Sequence, residues 1–240
     1  MPFICCPHLP NRPIRSALVS SALPVAMRQM LHQHNIILYD CPPHPALPDP
    51  VCTHPDLMTF YAGNGQIIID RTFSMDLPPQ IQIQKGTAIL GSSYPQDIAY
   101  DACQIGSHLF CKPDATAEEI LRLPLSVVPV RQGYAKCSIA VIGKKAAITE
   151  DIGLARAMCD VGIDVLLISP GGVSLPGYEY GFIGGACGKI APDTLACFGD
   201  ITKHPQYAEI CAFCKKHGVK LLSLSDDNLT DYGSLIPLTE

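Results

Sequence analysis

The sequence has no excess of positive charge: 17 Lys and Arg stand against 22 Asp and Glu, a formal net charge of −5. That balance argues against a nucleic-acid backbone or an anionic membrane as the main partner, because neither rewards a negative surface. Nor does any apolar run approach the roughly eighteen residues of a membrane span. Charged residues are scarce, at 16%, while hydrophobic residues reach 48%, which excludes a disordered chain and leaves a folded globular one. The first stretch, "MPFICCPHLPNRP", lacks the basic region of a secretory leader, and Pro and His interrupt its short apolar run. The expectation is therefore a cytoplasmic protein whose 12 cysteines are mostly free thiols rather than a disulfide framework.

Cofactor motifs are missing as well. "GYEYGFIGGACGK", from Gly177 to Lys189, is rich in glycine but fails as a phosphate loop. Ile183 stands where the first Gly of that loop belongs, and Ile190 where the Mg²⁺-holding hydroxyl belongs. A Gly-x-Gly-x-x-Gly fingerprint is also absent, and the stretch enters a hairpin, whereas both phosphate motifs open a helix. Cys211-x-x-Cys214 has no second ligand pair at zinc spacing and falls mid-helix, so it is read as core. No cofactor and no metal is expected on these grounds.

What the sequence does contain is a repeat. Tyr134–Pro170 gives a strand, a Gly-Lys-Lys turn, a second strand, a helix with Ile152, Ala155, Met158 and Cys159 on one face, a Gly162 stop and an apolar strand "IDVLLIS". The next stretch repeats the pattern: a hairpin turning near Pro192-Asp193, a helix with Ile210, Phe213 and Cys214 inward, a Gly218 stop and the strand "VKLLSLS". Upstream, "IAYDACQIGSHLFC", "KPDATAEEILRL" and "LSVVPV" form a third copy. Before it, "HPDLMTFYAGNGQIIID" is a hairpin with a Gly-Asn-Gly turn, followed by a helix-less connection "DLPPQIQIQ" and a strand "TAILGS". The first segment supplies strand, helix and strand but lacks one hairpin strand, and the tail "YGSLIPL" is a single unpaired apolar run. The economical arrangement is an α/β fold of five pseudo-symmetric ββαβ units, a five-bladed ring spanning residues 1–240 as one domain. It closes by pairing the N- and C-terminal strands, which also hides two sheet edges.

Units two to five begin near His54, Ile98, Tyr134 and Tyr178, about 44, 36 and 44 residues apart. Laying the hairpins on one another brings Asp101-Ala-Cys103, Ala135-Lys-Cys137 and Gly185-Ala-Cys187 into register, with His54-Pro-Asp56 in the same place. Around a common axis, Asp56, Cys103, Cys137 and Cys187 would form one ring of side chains. His54 and Asp101 would sit two residues earlier on the same strand face. Lys136, alternating with Cys137, would point away. Each thiol also has a plainer reading as a small core hydrophobe. Asp101 is harder to place in a core, because a carboxylate on an apolar strand needs a partner.

Five ββαβ units about an axis resemble the pentein fold of the guanidino-group-modifying enzymes: arginine and agmatine deiminases, amidinotransferases and dimethylargininases. "His54-Pro-Asp56-Leu-Met-Thr-Phe" looks like the His-x-Asp that begins a hairpin strand in that family. "QGYAKCS", "GYEYGFIGGACGK" and "DYGSLIPL" resemble a branch of the fold with no assigned function. The family places its nucleophilic Cys on the closing C-terminal strand, where this chain has Gly233 or Ser234, and no Cys follows Cys214. Its His-x-Asp also lies mid-chain rather than in the second unit.

The resemblance implies a cysteine-dependent hydrolase or transferase acting on the C–N bonds of an amidine or guanidino small molecule. The nucleophile would be relocated to Cys137, with Cys187 as second choice, and His54 with Asp56 would complete the catalytic group. Asp101, Cys103, Asp231 and Ser234 would line the substrate site, their carboxylates binding the planar N–H fork. Two alternatives stand beside it. One is a non-catalytic binding protein, like the pentein factor that caps a ribosomal subunit. The other is a metal site built from the converging cysteines.

Overall fold

Pairing between the two chain ends organises the molecule. The computed structural model describes residues 2–240. The first module contains β1 (Ser16–Ser20), α1 (Val25–Gln33) and β2 (Ile37–Cys41), with β1 parallel to β2. Its third strand comes from the tail: β15 (Ile236–Thr239) runs antiparallel to β1, with Leu18 opposite Ile236. The ends are clasped further by Ile4, whose N–H donates to the Leu238 carbonyl at 3.0 Å. The buried Tyr61 hydroxyl donates to the Ile4 and Leu238 carbonyls at 2.9 and 3.2 Å. The expected origin of the missing strand is thus what the chain uses.

Four further modules follow the same rule. The second has the one-turn helix α2 (Pro55–Met58), then β3 (Thr59–Gly63), β4 (Gln66–Ile69) and β5 (Gln82–Lys85). The third has β6 (Cys103–Ile105), β7 (His108–Cys111), the short α3 (Glu118–Leu121) and β8 (Ser126–Pro129). The fourth has the one-turn α4 (Ala135–Ser138), β9 (Ile139–Gly143), β10 (Ala146–Thr149), α5 (Ile152–Asp160) and β11 (Asp164–Leu167). The fifth has β12 (Cys187–Ala191), β13 (Thr194–Cys197), α6 (Tyr207–Lys216) and β14 (Lys220–Ser223). The result is a mixed α/β fold with five three-stranded sheets. In each, the central strand is antiparallel to one neighbour and parallel to the other.

Burial follows this order. The central strands β1, β10 and most of β4, β7 and β13 are buried, while the outer strands β5 and β8 are largely exposed. A strand that buries both faces must be apolar or have its polar groups paired, and β1 reads Ser-Ala-Leu-Val-Ser with its serines paired to Thr239 and Thr53. Helix α5 is capped by Asp151, which accepts the Leu154 N–H at 2.7 Å. Its buried face is Leu154, Ala155 and Met158; Ile152 and Cys159 are exposed, against expectation, because the helix is turned by one position toward Leu154. Helix α6 buries Ile210, Phe213 and Cys214 as its periodicity predicts. Gly162 and Gly218 end these helices at φ +80° and +69°.

Two further expectations are corrected. The outer strand of the second module is "QIQK", not "TAILGS". The solvent-facing position tolerates Gln, and backbone pairing with β4 alone holds it. In the third module the hairpin strand starts at Cys103, and Ala99–Tyr100 form a turn just before Asp101. That shift changes which residues are equivalent at the centre. Among the described residues, no helix is long and apolar enough to cross a membrane.

Candidate functional site

The short segments that precede the first strands of the modules meet one another. Helix α4 begins with unpaired backbone N–H groups and has no side-chain cap of its own. Asp101, from the neighbouring module, supplies one: its Oδ1 accepts the Lys136 N–H and, at 3.4 Å, the Cys137 N–H. The Gly185 N–H donates to the Cys137 carbonyl at 2.8 Å. The tail then crosses the same point. The Asp56 N–H donates to the Gly233 carbonyl at 3.3 Å, and the Ser234 N–H to the Gly185 carbonyl at 2.8 Å. Residues of all five modules therefore share one hydrogen-bonded cluster, since the tail belongs to the first.

Glycine is required at two places in it. A Cβ on Gly185 would lie 2.0 Å from Asp231 Oδ1, and one on Gly233, itself at φ +76°, would lie 2.4 Å from the His54 Cβ. In "GYEYGFIGGACGK", Gly181 and Gly185 make room for Asp231 rather than holding a phosphate, and Gly233 of the tail makes room for His54.

Asp231 accepts the Phe182 N–H on Oδ2 and the Gly233 N–H on Oδ1, both at 2.9 Å. His54 Nδ1 lies 3.7 Å from Asp231 Oδ1. Asp56 Oδ2 accepts the Ser234 hydroxyl at 2.6 Å, while its Oδ1 is buried without a partner. Lys136 Nζ donates to Ser234 Oγ at 2.8 Å and to the Gly184 carbonyl at 3.3 Å. Donor atoms of His54, Asp56 and Cys137 all lie within 4.8 Å of one another. His54, Cys137 and Asp231 form the floor of a cavity of about 250 Å³. Its walls are Tyr134, Tyr178, Tyr180 and Phe182, with Val51, Leu57 and Leu175, and Glu179 also lines it. The Tyr134 hydroxyl is held by Asp97 at 2.6 Å.

The electrostatics are those of buried acids with too little positive charge. Burial pushes the Asp231 carboxyl up to about 6, against the pull of the Phe182 and Gly233 N–H groups and Lys136. Burial also raises Asp56, with Asp231 adding to it and His54, Lys136 and Ser234 opposing. Asp101 is raised well above the carboxylate range by burial and by Asp56. Burial lowers His54 despite Asp56, so the imidazole is held neutral. The Cys137 thiol is pushed well above its usual value by burial and then by Asp101, Asp56 and Asp231. The resting site thus holds a neutral imidazole and a protonated thiol beside buried acids whose nearby ammonium, on Lys136, reaches Asp56 only through Ser234.

The sequence-derived residues divide into three groups. His54, Cys137 and Asp231 come together at the cavity floor, with Asp56 buried beside His54 and Cys137. Asp101 and Ser234 stand just behind it, Asp101 capping α4 and Ser234, fully buried at φ +70°, joining Lys136 to Asp56. Cys103 and Cys187 are elsewhere: each begins a strand and faces its own apolar cluster. The Cys187 thiol donates to the Ile183 carbonyl at 3.1 Å, and burial raises both thiols to about 12.

The register that joined Cys103 and Cys187 to Cys137 slipped by two residues. In a strand such a slip keeps the face but moves a side chain roughly 6–7 Å. Lys136 is also corrected. It lies on a helical turn, so strand alternation does not apply, and its ammonium points inward.

Sequence reasoning missed Lys136 and the aromatic walls. The signal for the walls was the aromatic spacing in "YEYGF". The converging-cysteine metal site does not form. A different donor set does, with one nitrogen, one oxygen and one sulfur, and such a set suits zinc.

Comparison with known proteins agrees with the architecture. Residues 18–236 match the model of a family of unknown function, DUF6873. No curated protein matches the chain. Among solved structures, inosamine-phosphate amidinotransferase StrB1 from Streptomyces griseus superposes with a TM-score of 0.54 at 10% identity, over 96% of this chain and 94% of that one. SxtG, an amidinotransferase from Microseira wollei in the saxitoxin biosynthetic pathway, gives a TM-score of 0.48 at 10% identity, over 93% and 91%. The fold is that of the amidinotransferases, the pentein fold.

Proposed function

This chain belongs to the DUF6873 family, and for it we propose a cysteine-dependent hydrolase or transferase acting on the C–N bonds of a guanidino or amidine small molecule. The observation that carries the reading is the grouping of His54, Asp56 and Cys137 within 4.8 Å, with His54 and Cys137 on the floor of an aromatic-walled cavity. We place this site on the axis of one ring-shaped domain, closed by the β1–β15 pair.

The residues suggest an order of events. A planar cation enters between the aromatic walls and offers its N–H groups to Asp231 and to the unpartnered Asp56 Oδ1. Its charge cancels the field that keeps Cys137 protonated, so the thiol passes its proton to His54. The Sγ lone pair attacks the central carbon, forming an S–C bond and a tetrahedral species. The imidazolium returns the proton to the leaving nitrogen as the C–N bond breaks, releasing an amine or ammonia. Water or an acceptor amine, deprotonated by His54, then attacks the same carbon, and the S–C bond breaks to restore the thiol. Lys136 and Ser234 hold Asp56 in place, and Asp101 holds the α4 turn that carries Cys137.

Release of amine or ammonia from a panel of guanidines and amidines tests the reading. Wild-type protein should release it, and Cys137→Ala and His54→Gln should each lose at least a hundredfold in rate. Release by Cys137→Ala at the wild-type rate would remove the nucleophile. A second reading rests on the same trio as a zinc site, in which the thiolate is a ligand. It predicts about one equivalent of metal in protein purified without chelator, lost in Cys137→Ala.

A further inference from the structure

Taking the guanidino reading as its premise, we infer that the cavity selects guanidines or amidines without a carboxylate. The preferred molecule has a short apolar or aromatic spacer and a second, cationic amine at its far end.

The first observation is the absence of a cationic side chain from the lining. Among the described residues lining the cavity there is no Lys or Arg. The nearby Lys136 ammonium does not line it and is bound to Ser234 and Gly184. His54 is held neutral by burial. Four backbone N–H groups of the wall segment are engaged as well. Tyr178 N–H donates to Leu175 O, Gly181 N–H to Val173 O, Phe182 N–H to Asp231 Oδ2 and Ile183 N–H to Glu150 Oε1. An amino-acid carboxylate would meet tyrosine hydroxyls there but no positive charge to offset its lost hydration, which is costly for a charged group.

The second observation is acidic. Glu179 sits in the exposed loop between Gly177 and Gly181 and lines the same cavity as Asp231, so negative charge lies both at the floor and on the wall. Like charge would repel a carboxylate and attract an amine. The third is aromatic. The Phe182 ring centroid lies 6.1 Å from those of both Tyr134 and Tyr180, tilted 31° to the first and edge-on to the second. Such faces accommodate an apolar spacer and favour cations over anions.

The test is protection of Cys137 from alkylation by iodoacetamide, read by peptide mass spectrometry, with three probes: 4-aminobutylguanidine, n-butylguanidine and L-arginine. These share a guanidinium and differ at the far end. We expect the aminobutyl compound to protect at a concentration at least tenfold lower than arginine, with butylguanidine between them. In Glu179→Gln the ratio of aminobutyl to butyl protection should fall about tenfold toward unity. Protection by arginine equal to or better than the aminobutyl compound overturns this inference and leaves the guanidino reading standing, as does a ratio unchanged in Glu179→Gln. Failure of all three probes to protect overturns the guanidino reading, and the inference falls with it.

Discussion

Replacing Asp56 by Asn should make Cys137 more reactive while making the protein less active. Donor atoms of the two residues lie within 4.8 Å. At that distance and an effective dielectric of about 20, a carboxylate disfavours a thiolate by about 3.5 kcal/mol, equivalent to about 2.5 pKa units. Removing the charge raises the thiolate fraction at neutral pH by roughly 300-fold. A less basic thiolate is also a weaker nucleophile, with a Brønsted slope of about 0.45, so the net gain in rate is roughly 25-fold. The Asn carbonyl can still accept the Ser234 hydroxyl that Asp56 Oδ2 now holds, so the local structure survives the change. The assay is the pseudo-first-order rate of iodoacetamide modification at Cys137 across pH 6–9, beside turnover of a guanidine. Faster alkylation with lost turnover fits a carboxylate that suppresses the free thiol and binds the cation. Alkylation unchanged or slowed in Asp56→Asn would refute the electrostatic argument, because Asp56 would then not oppose the thiolate.

Other outcomes follow from the same geometry. Cys103→Ala and Cys187→Ala should keep turnover but lose about 1–2 kcal/mol of stability in urea melts, as deletions from tight apolar clusters do. Gly185→Ala should abolish protection of Cys137 by guanidines, because its Cβ occupies the place of Asp231 Oδ1; unchanged protection would show Asp231 to be idle. Asp231 is raised to about 6 in the fold, so its contribution to stability is full below its ordinary value near 3.8 and is lost as pH rises through about 6. Guanidine binding should run the opposite way, strengthening over that window as the carboxylate ionises; titration of binding against pH checks both. Lys136→Met should destabilise by about 3–5 kcal/mol through the buried charge it leaves on Asp56, measured by thermal unfolding with Lys136→Arg as the milder control.

How far the sequence foretold this depends on period. Modules with a full helix were legible, because Ala155 and Met158 or Ile210, Phe213 and Cys214 recur at helical spacing before a glycine stop, although Leu154 rather than Ile152 and Cys159 completes the buried face of α5. The tail's role was legible because an apolar strand with no partner has to find one, and β1 lacked a neighbour. The centre was harder. α2 and α4 are single turns with no periodic signal, and treating them as strand aligned Cys137 with Cys103 and Cys187 and aimed Lys136 outward. His54, Asp56 and Asp231 were found as chemistry-bearing residues on short motifs, but their contact depends on Gly185 and Gly233 making room, a relation between residues far apart in the chain. The aromatic walls come from a loop whose place over the site is set by Phe182 bonding to Asp231.

The most direct measurement is acid quench of wild-type protein during turnover of an alkylguanidine, with peptide mass spectrometry of the segment that contains Cys137. The account predicts an amidino adduct on the Cys137 sulfur, absent in Cys137→Ala. Turnover with that sulfur unmodified at every quench time, and an adduct on another residue or none, would contradict it.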